Sequence, residues 1–324
     1  MLKTFDLPLR IPRLILGSQP FLGESYQGEE KNRIYRDRFS DESFTARLLR
    51  EAYRLGLDTV SVMAMPGNPL FHKLLKVLKS LREESLEFKA APCVSIPLKV
   101  DETPVDDYRR WLTYYVYESK LVGEEAVRSK YLQDPILLTR PGWRKRFSEL
   151  LKHGRPYTKA DFERVRVDFK AVVDRIRLYE GLGRPFANIG SESDFLAVAG
   201  RFDLLGEVVD RLRAAGYESV LISSHHAGFT IPLLEDSRLR VDGYATPLNP
   251  LGALMLPSME SALSAIRMVR DRVVAIKPMA GGRVDPFKAF KFLAGEGVRH
   301  CMVGVASIDE LKTDVEASKY IFRL

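Results

Sequence analysis

The chain has 324 residues, of which 45% are hydrophobic and 10% aromatic, and its formal net charge at pH 7 is +7. This composition can bury a large core, which excludes a disordered or fibrous chain. The apolar runs are shorter than the roughly 20 residues of a membrane-spanning helix. The first 13 residues lack the apolar stretch of a secretory signal. We therefore predict a cytoplasmic protein that does not insert into membranes.

Short β-rich runs alternate with amphipathic helices along the chain, which is typical of parallel α/β architecture. The runs predicted as strands are residues 13–17, 59–63, 90–96, 195–199, 220–224, 241–245, 273–277 and 301–304. Eight parallel strands close into a barrel whose interior is filled by side chains. The sequence therefore predicts an α/β fold, a (β/α)8 TIM barrel formed by residues 1–100 and 184–324. Cys93 and Cys301 lie inside these runs, and we interpret both as buried thiols.

The interval between the third and fourth predicted strands is too long for one helix and two loops. Residues 101–183 are predicted as a helical insertion with segments 104–121, 124–132, 142–153 and 159–182. Because the insertion leaves the carboxyl end of a strand, we expect it over the barrel mouth, as a lid or as a contact in a homo-oligomer. Residues 140–159 are basic with interspersed aromatics, but the insertion as a whole is nearly balanced in charge, which argues against a nucleic-acid partner.

The loops after the last two predicted strands indicate a site for an anionic small molecule. The residues predicted to contact it are Met279, Gly281, Gly282 and Arg283 after the seventh strand, with Gly304, Ala306 and Ser307 after the eighth. Barrels frequently bind phosphate at this position, where glycines admit close backbone approach and a helix N-terminus attracts the anion. Ser307 and Glu310 are predicted to form a capping box on that helix. In the alternative interpretation, Gly281 and Gly282 only make a turn.

The order of these segments resembles the aldo-keto reductase superfamily. The matching stretches are 16–17 with 21–23, 56–60 with 67–68, 213–224, 241–251 with Asn249, 275–283 and 303–317. They cover the barrel and omit the insertion. The resemblance implies an NADP-dependent carbonyl reductase, with the cofactor phosphate on the loops after strands seven and eight and with Ser224 and Asn249 near the cofactor.

The catalytic tetrad of that family is largely missing. Its aspartate and tyrosine align with Ser61 and Pro66, and its lysine falls near Lys99. The family's histidine is replaced within residues 195–201, its serine-asparagine pair aligns with residues 223–226, and its glutamine falls on Ala245. A substitute proton donor could be Tyr26 or His225, since a histidine titrates near neutral pH. The sequence therefore predicts a divergent reductase with a reorganised proton donor.

A non-redox barrel is the alternative hypothesis. In it, the same anion site holds a phosphorylated metabolite, either for lyase or isomerase chemistry through Lys277 and His225, or for binding alone. A lysine at a strand end forms a Schiff base when its amine is neutral, although contact with an anion is the commoner role. A third hypothesis is a scaffold that assembles through the insertion. No metal site is predicted, because no group of ligands has the required spacing.

Overall fold

The structure, a computed structural model, describes residues 9–322. Its strands are β1 (Leu14–Gly17), β2 (Thr59–Met63), β3 (Lys89–Val94), β4 (Leu98–Val100), β5 (Thr103–Pro104), β6 (Val165–Val167), β7 (Ala187–Ile189), β8 (Val220–Ser223), β9 (Gly243–Pro247), β10 (Val273–Ile276) and β11 (His300–Val303). Within the described residues, eight of them form a closed barrel in the order β1-β11-β10-β9-β8-β7-β3-β2. Neighbouring barrel strands are parallel, and Leu14 paired with Cys301 closes the ring. The predicted TIM barrel is therefore confirmed.

Helices surround this barrel and also build the insertion. They are α1 (Glu29–Phe39), α2 (Glu42–Arg54), α3 (Pro69–Glu83), α4 (Asp107–Val122), α5 (Glu124–Gln133), α6 (Trp143–His153), α7 (Lys159–Glu163), α8 (Phe169–Arg177), α9 (Glu192–Val198), α10 (Phe202–Ala214), α11 (Ala227–Asp236), α12 (Met259–Met268), α13 (Pro286–Gly295) and α14 (Ile308–Phe322). Among residues 9–322, no helix combines the length and apolarity that crossing a bilayer requires.

One of the eight predicted strands is wrong. Residues 195–199 lie mostly in helix α9, and the fourth barrel strand is β7, which pairs with β3 and β8. Residues 193–197 are all buried, so this helix lacks the polar face that marks an amphipathic helix in a sequence. The true strand has only three residues, too few to show a clear alternation.

The insertion is only partly helical. The first three predicted segments correspond to α4, α5 and α6, but the fourth, 159–182, is interrupted by β6. This strand pairs antiparallel with β4, and β4 pairs with β5, so a small three-stranded sheet joins the start of the insertion to residues 165–167. Val165 and Val167 flank Arg166 in an apolar–polar alternation that favours a strand over a helix.

The insertion packs on the loops at the carboxyl ends of the barrel strands. Lys130 Nζ donates to the Gly252 carbonyl, and the Leu254 amide donates to Asp134 Oδ2 at 2.7 Å. Its basic stretch does not present aromatic rings to solvent, because Trp143, Phe147 and Tyr157 are buried. They are therefore core residues and not stacking platforms for nucleic-acid bases.

Candidate active site at the carboxyl ends of the barrel strands

A cavity of about 760 Å³ opens at the carboxyl ends of the barrel strands, where the chemistry of TIM barrels is located. Its wall is formed by the loops after β1, β2, β7, β8, β10 and β11. None of the described residues 101–183 is part of its wall. The insertion therefore supports the site from behind the loops, and its roles as a lid or subunit contact remain predictions.

A polar cluster lies at the base of the cavity. Asn188 on β7 donates through Nδ2 to Ser223 Oγ on β8 at 2.7 Å. Its Oδ1 is buried and has no hydrogen-bond partner among the described residues. Exchanging the amide oxygen and nitrogen would still leave one pole of the amide without a partner. Since a buried polar group without a partner is costly, this amide indicates where a ligand would bind.

Lys277, Tyr26 and His225 come together above this base, as residues of one cavity wall. The Lys277 ammonium lies 4.6 Å from the centroid of the Tyr26 ring and, among residues 9–322, pairs with no carboxylate. Both residues have a positive φ, 54° and 58°, a costly conformation for residues with a Cβ. The fold therefore holds an unpaired cation against a phenol at the mouth of the barrel.

His225 is held through its backbone. Its amide donates to Asp194 Oδ2 at 2.9 Å, and Asp194 Oδ1 accepts from Thr230 Oγ1 on α11. Burial and then the charge of Lys277 hold the pKa of His225 well below its usual value. The imidazole is therefore neutral at pH 7, which opposes its predicted role as a charged proton donor and favours hydrogen bonding to a ligand.

The loop after β1 crosses the cavity and contacts the loop after β10. Gly281 and Gly282 have φ values of 69° and 77°, and a Cβ on Gly281 would come within 2.8 Å of Tyr26 Cβ. Arg283 donates to the carbonyls of Tyr26, Ala280 and Pro135. It therefore ties three segments together through Nη1 and Nη2, and it also lines the cavity.

Of the two loops predicted to bind an anion, the one after β10 has free backbone amides, whereas the Ala306 amide after β11 is occupied. The amides of Gly281 and Gly282 donate to no described residue, and both glycines, with Met279 and Gly304, line the cavity. At the eighth strand, however, the Ala306 amide donates to Glu310 Oε2 at 2.7 Å, and Ser307 Oγ caps the Glu310 amide. The capping box is thus confirmed on one side only, because the Glu310 carboxylate binds Ala306 and fills the place expected for an anion.

The outer end of the cavity is acidic. Glu310, Asp314 and Asp285 line it, and Asp285 also caps α13 by accepting from the amides of Phe287 and Lys288. Asp314 is 4% exposed. Burial, followed by the charges of Glu310 and Asp285, raises the pKa of Asp314 to about 8. At pH 7 its carboxyl group is therefore mostly protonated.

This raised pKa predicts a loss of stability at alkaline pH. The unfolded chain ionises Asp314 at its usual pKa of 3.8, whereas the folded chain ionises it only near 8. Between these values the folded state binds more protons, so the free energy of unfolding falls as the pH rises. We expect Asp314→Asn to remove about 2–4 kcal/mol of the decrease between pH 5 and 8 in urea titrations. Parallel pH profiles for the variant and the wild type would contradict this.

Five predicted site residues are absent from the cavity wall: Ala306 and Ser307, described above, and Lys99, Ser224 and Asn249. The chain leaves the barrel at Val94, so Lys99 lies outside the barrel, in β4. Its ammonium pairs with Glu102. Ser224 is fully buried and bonds Thr230 Oγ1, while its neighbour Ser223 lines the cavity. Asn249 bonds both backbone groups of Ala253 and closes its own loop.

The structure also places residues that the sequence analysis missed or doubted. Asn188 and Asp194 were missed because the fourth strand was assigned to the wrong run; the short apolar stretch before Gly190 is the signal that could have found them. Ser61 lines the cavity, and Pro66 is exposed.

Cys301 is buried as predicted, whereas Cys93 lines the cavity. Burial raises the pKa of the Cys93 thiol to about 12, so it stays protonated.

The fold is the (β/α)8 barrel found in aldo-keto reductases. A putative aldo-keto reductase from Pseudomonas aeruginosa superimposes with a TM-score of 0.53 at 13% identity, over 98% of this chain and 94% of its own. The glycerol dehydrogenase of Gluconobacter oxydans gives 0.50 at 12% identity, over 98% of this chain and 91% of its own. No protein-family model and no curated protein sequence matches the chain. At these identities the similarity establishes the fold.

Proposed function

We propose that this protein is a nicotinamide-dinucleotide-dependent oxidoreductase that reduces a carbonyl group. The observation that carries the proposal is the Asn188 amide, buried at the cavity base with one pole unpartnered, beneath the unpaired cation Lys277. The carboxamide of a nicotinamide ring offers the donor and acceptor that such an amide can bind. The free amides of Gly281 and Gly282 support the same ligand, because they can approach a pyrophosphate closely.

The proposed chemistry divides between the cofactor and the chain. A dinucleotide bound in this cavity would supply the hydride for the carbonyl carbon. Tyr26 donates the proton to the carbonyl oxygen, and the Lys277 ammonium stabilises the negative charge that develops on the phenol oxygen. His225, held neutral, donates a ring N–H to the substrate oxygen and orients it. The loop carrying Tyr26 covers the cavity and excludes water.

The alternative with a phosphorylated metabolite has less support. Its anion site required the amides after the eighth strand, and Glu310 occupies the Ala306 amide. Its cation, Arg283, donates to three backbone carbonyls. Borohydride trapping on Lys277 with phosphorylated aldehydes and ketones would distinguish it, since the reductase proposal expects no adduct.

Titration with NADH and NADPH, followed by fluorescence, tests the proposal directly. We expect at least one of them to bind with a dissociation constant in the micromolar range. Absence of binding by both dinucleotides at 1 mM, on the order of the weakest specific affinities, would refute the proposed function.

Gly281→Ala is expected to weaken dinucleotide binding by about tenfold or more. The added Cβ would collide with Tyr26 Cβ and with Arg283 Nη1, both 2.8 Å away, and displace the loop that covers the cavity. Gly200→Ala is the matched control, because Gly200 also has a positive φ, 67°, but nothing lies within 4 Å of its Cβ position. Both variants bear the same backbone strain. Equal affinities in the two would contradict the prediction.

A further inference from the structure

The polar base of the cavity sets the direction of a bound dinucleotide. Asn188, Lys277 and His225 lie where the barrel strands end, so the nicotinamide ring belongs there if the proposed function holds. The chain of the ligand then passes the free amides of Gly281 and Gly282. Its adenosine half must reach the outer end, between the loops after β10 and β11.

Acidic side chains dominate that outer end. Glu310, Asp314 and Asp285 line it from α14 and from the start of α13. Two cations also belong to the wall: Lys31 on α1, whose ammonium lies 5.5 Å from the centroid of the Tyr35 ring, and Arg283 on the loop after β10. Because the pKa of Asp314 is about 8, its carboxyl group is mostly protonated at pH 7. The Glu310 carboxylate, which accepts from the Ala306 amide, lies directly at the start of α14.

Three donors near this end already make hydrogen bonds within the chain. The Ala306 amide donates to Glu310 Oε2 at 2.7 Å, and Arg38 Nη1 donates to the Ala306 carbonyl at 2.6 Å. Arg283 donates to three backbone carbonyls. A phosphate monoester, with a charge of about −1.5 to −2, would meet the Glu310 carboxylate at the start of α14. Ribose hydroxyls, in contrast, can donate hydrogen bonds to a carboxylate.

We propose that this cavity selects the dinucleotide with free 2′- and 3′-hydroxyls on its adenosine ribose, NAD(H), and rejects the 2′-phosphorylated NADP(H), through Glu310, with Asp314 contributing in alkaline solution. This rests on the proposed function and narrows it. The resemblance to aldo-keto reductases implied NADP instead. The glycine-rich loops predict an anion site, but the sequence does not show that the Glu310 carboxylate already binds the Ala306 amide.

Binding of NADH and NADPH to the wild-type protein, followed by fluorescence without any substrate, is the first test. We expect NADH to bind at least about tenfold more tightly, a ratio consistent with repulsion between a phosphate and a nearby carboxylate. Equal or tighter binding of NADPH would overturn the inference and leave the proposed function standing. Absence of binding by both would overturn the two together.

Adenosine fragments test the outer end independently of the nicotinamide. 5′-AMP is expected to bind more tightly than adenosine 2′,5′-bisphosphate, both measured by calorimetry on the wild-type protein. This comparison needs no variant and stays informative if a substitution on α14 disturbs folding. Tighter binding of the bisphosphate would overturn the inference.

Glu310→Gln tests the residue itself. Glutamine keeps an oxygen acceptor for the Ala306 amide and removes the charge, so the ratio of NADPH to NADH dissociation constants should fall about fivefold or more. Asp314→Asn should lower the same ratio at pH 9, where the wild-type carboxyl is ionised. Glu316→Gln is the matched control, because Glu316 is exposed on the same helix and outside the cavity wall. A ratio unchanged in both test variants, or shifted equally in the control, would overturn the inference.

Discussion

Glu118→Ala is expected to lower the free energy of unfolding by about 3–5 kcal/mol, the cost of breaking a buried pair by removing one partner. Glu118 on α4 is fully buried, and its Oε1 lies 2.8 Å from His226 Nδ1. Its other oxygen accepts from the Tyr131 hydroxyl at 2.5 Å. The variant leaves both partners without an acceptor in a site that water does not reach, and it opens a void between the insertion and the barrel.

Urea denaturation measures this effect, with Glu125→Ala as control. Glu125 is exposed on α5, and its replacement should change the free energy of unfolding by less than about 0.5 kcal/mol. Because His226 is the chain neighbour of His225, which lines the cavity, we also expect Glu118→Ala to weaken dinucleotide binding. A destabilisation below about 1 kcal/mol would show that the insertion is not anchored through this pair.

Lys277→Met is expected to lower kcat/KM for carbonyl reduction by about 10²–10⁴, the usual contribution of general acid catalysis. Methionine retains much of the side-chain length and removes the charge beside Tyr26. Tyr26→Phe, which removes the proposed proton donor, should give a loss of similar size, and the double variant should lose little more than either single one, because the two residues act as a unit.

NADH oxidation with a panel of aldehydes and ketones measures this loss. Lys99→Met is the matched control, because Lys99 is a partly exposed lysine of β4, outside the cavity wall, and its replacement should leave kcat/KM unchanged. A Lys277→Met enzyme that retains more than half of the wild-type activity would show that the proton comes from elsewhere in the cavity.

The barrel was predictable because its signals are local. Seven of the eight strand runs, and the start of α13 at Asp285 and Pro286, follow from short patterns of apolar, capping and turn residues. The position of the cavity followed from the architecture, since loops after parallel strands meet at one end of the barrel. Helix α9 was missed for the converse reason: it is buried on all sides, and periodicity does not distinguish such a helix from a strand.

The sequence by itself determined the barrel and the place of the insertion in the chain. It also predicted that the glycines and the lysine after the seventh strand lie at the cavity. Only the tertiary structure decided which side chains meet: Asn188 with Ser223, Lys277 with Tyr26, and Glu310 with the Ala306 amide. The tertiary structure also places Lys99 in the small sheet outside the barrel, away from the cavity. The physical reason is that these outcomes depend on side-chain direction and on contacts between segments up to 251 residues apart, from Tyr26 to Lys277, which no local pattern of residues encodes.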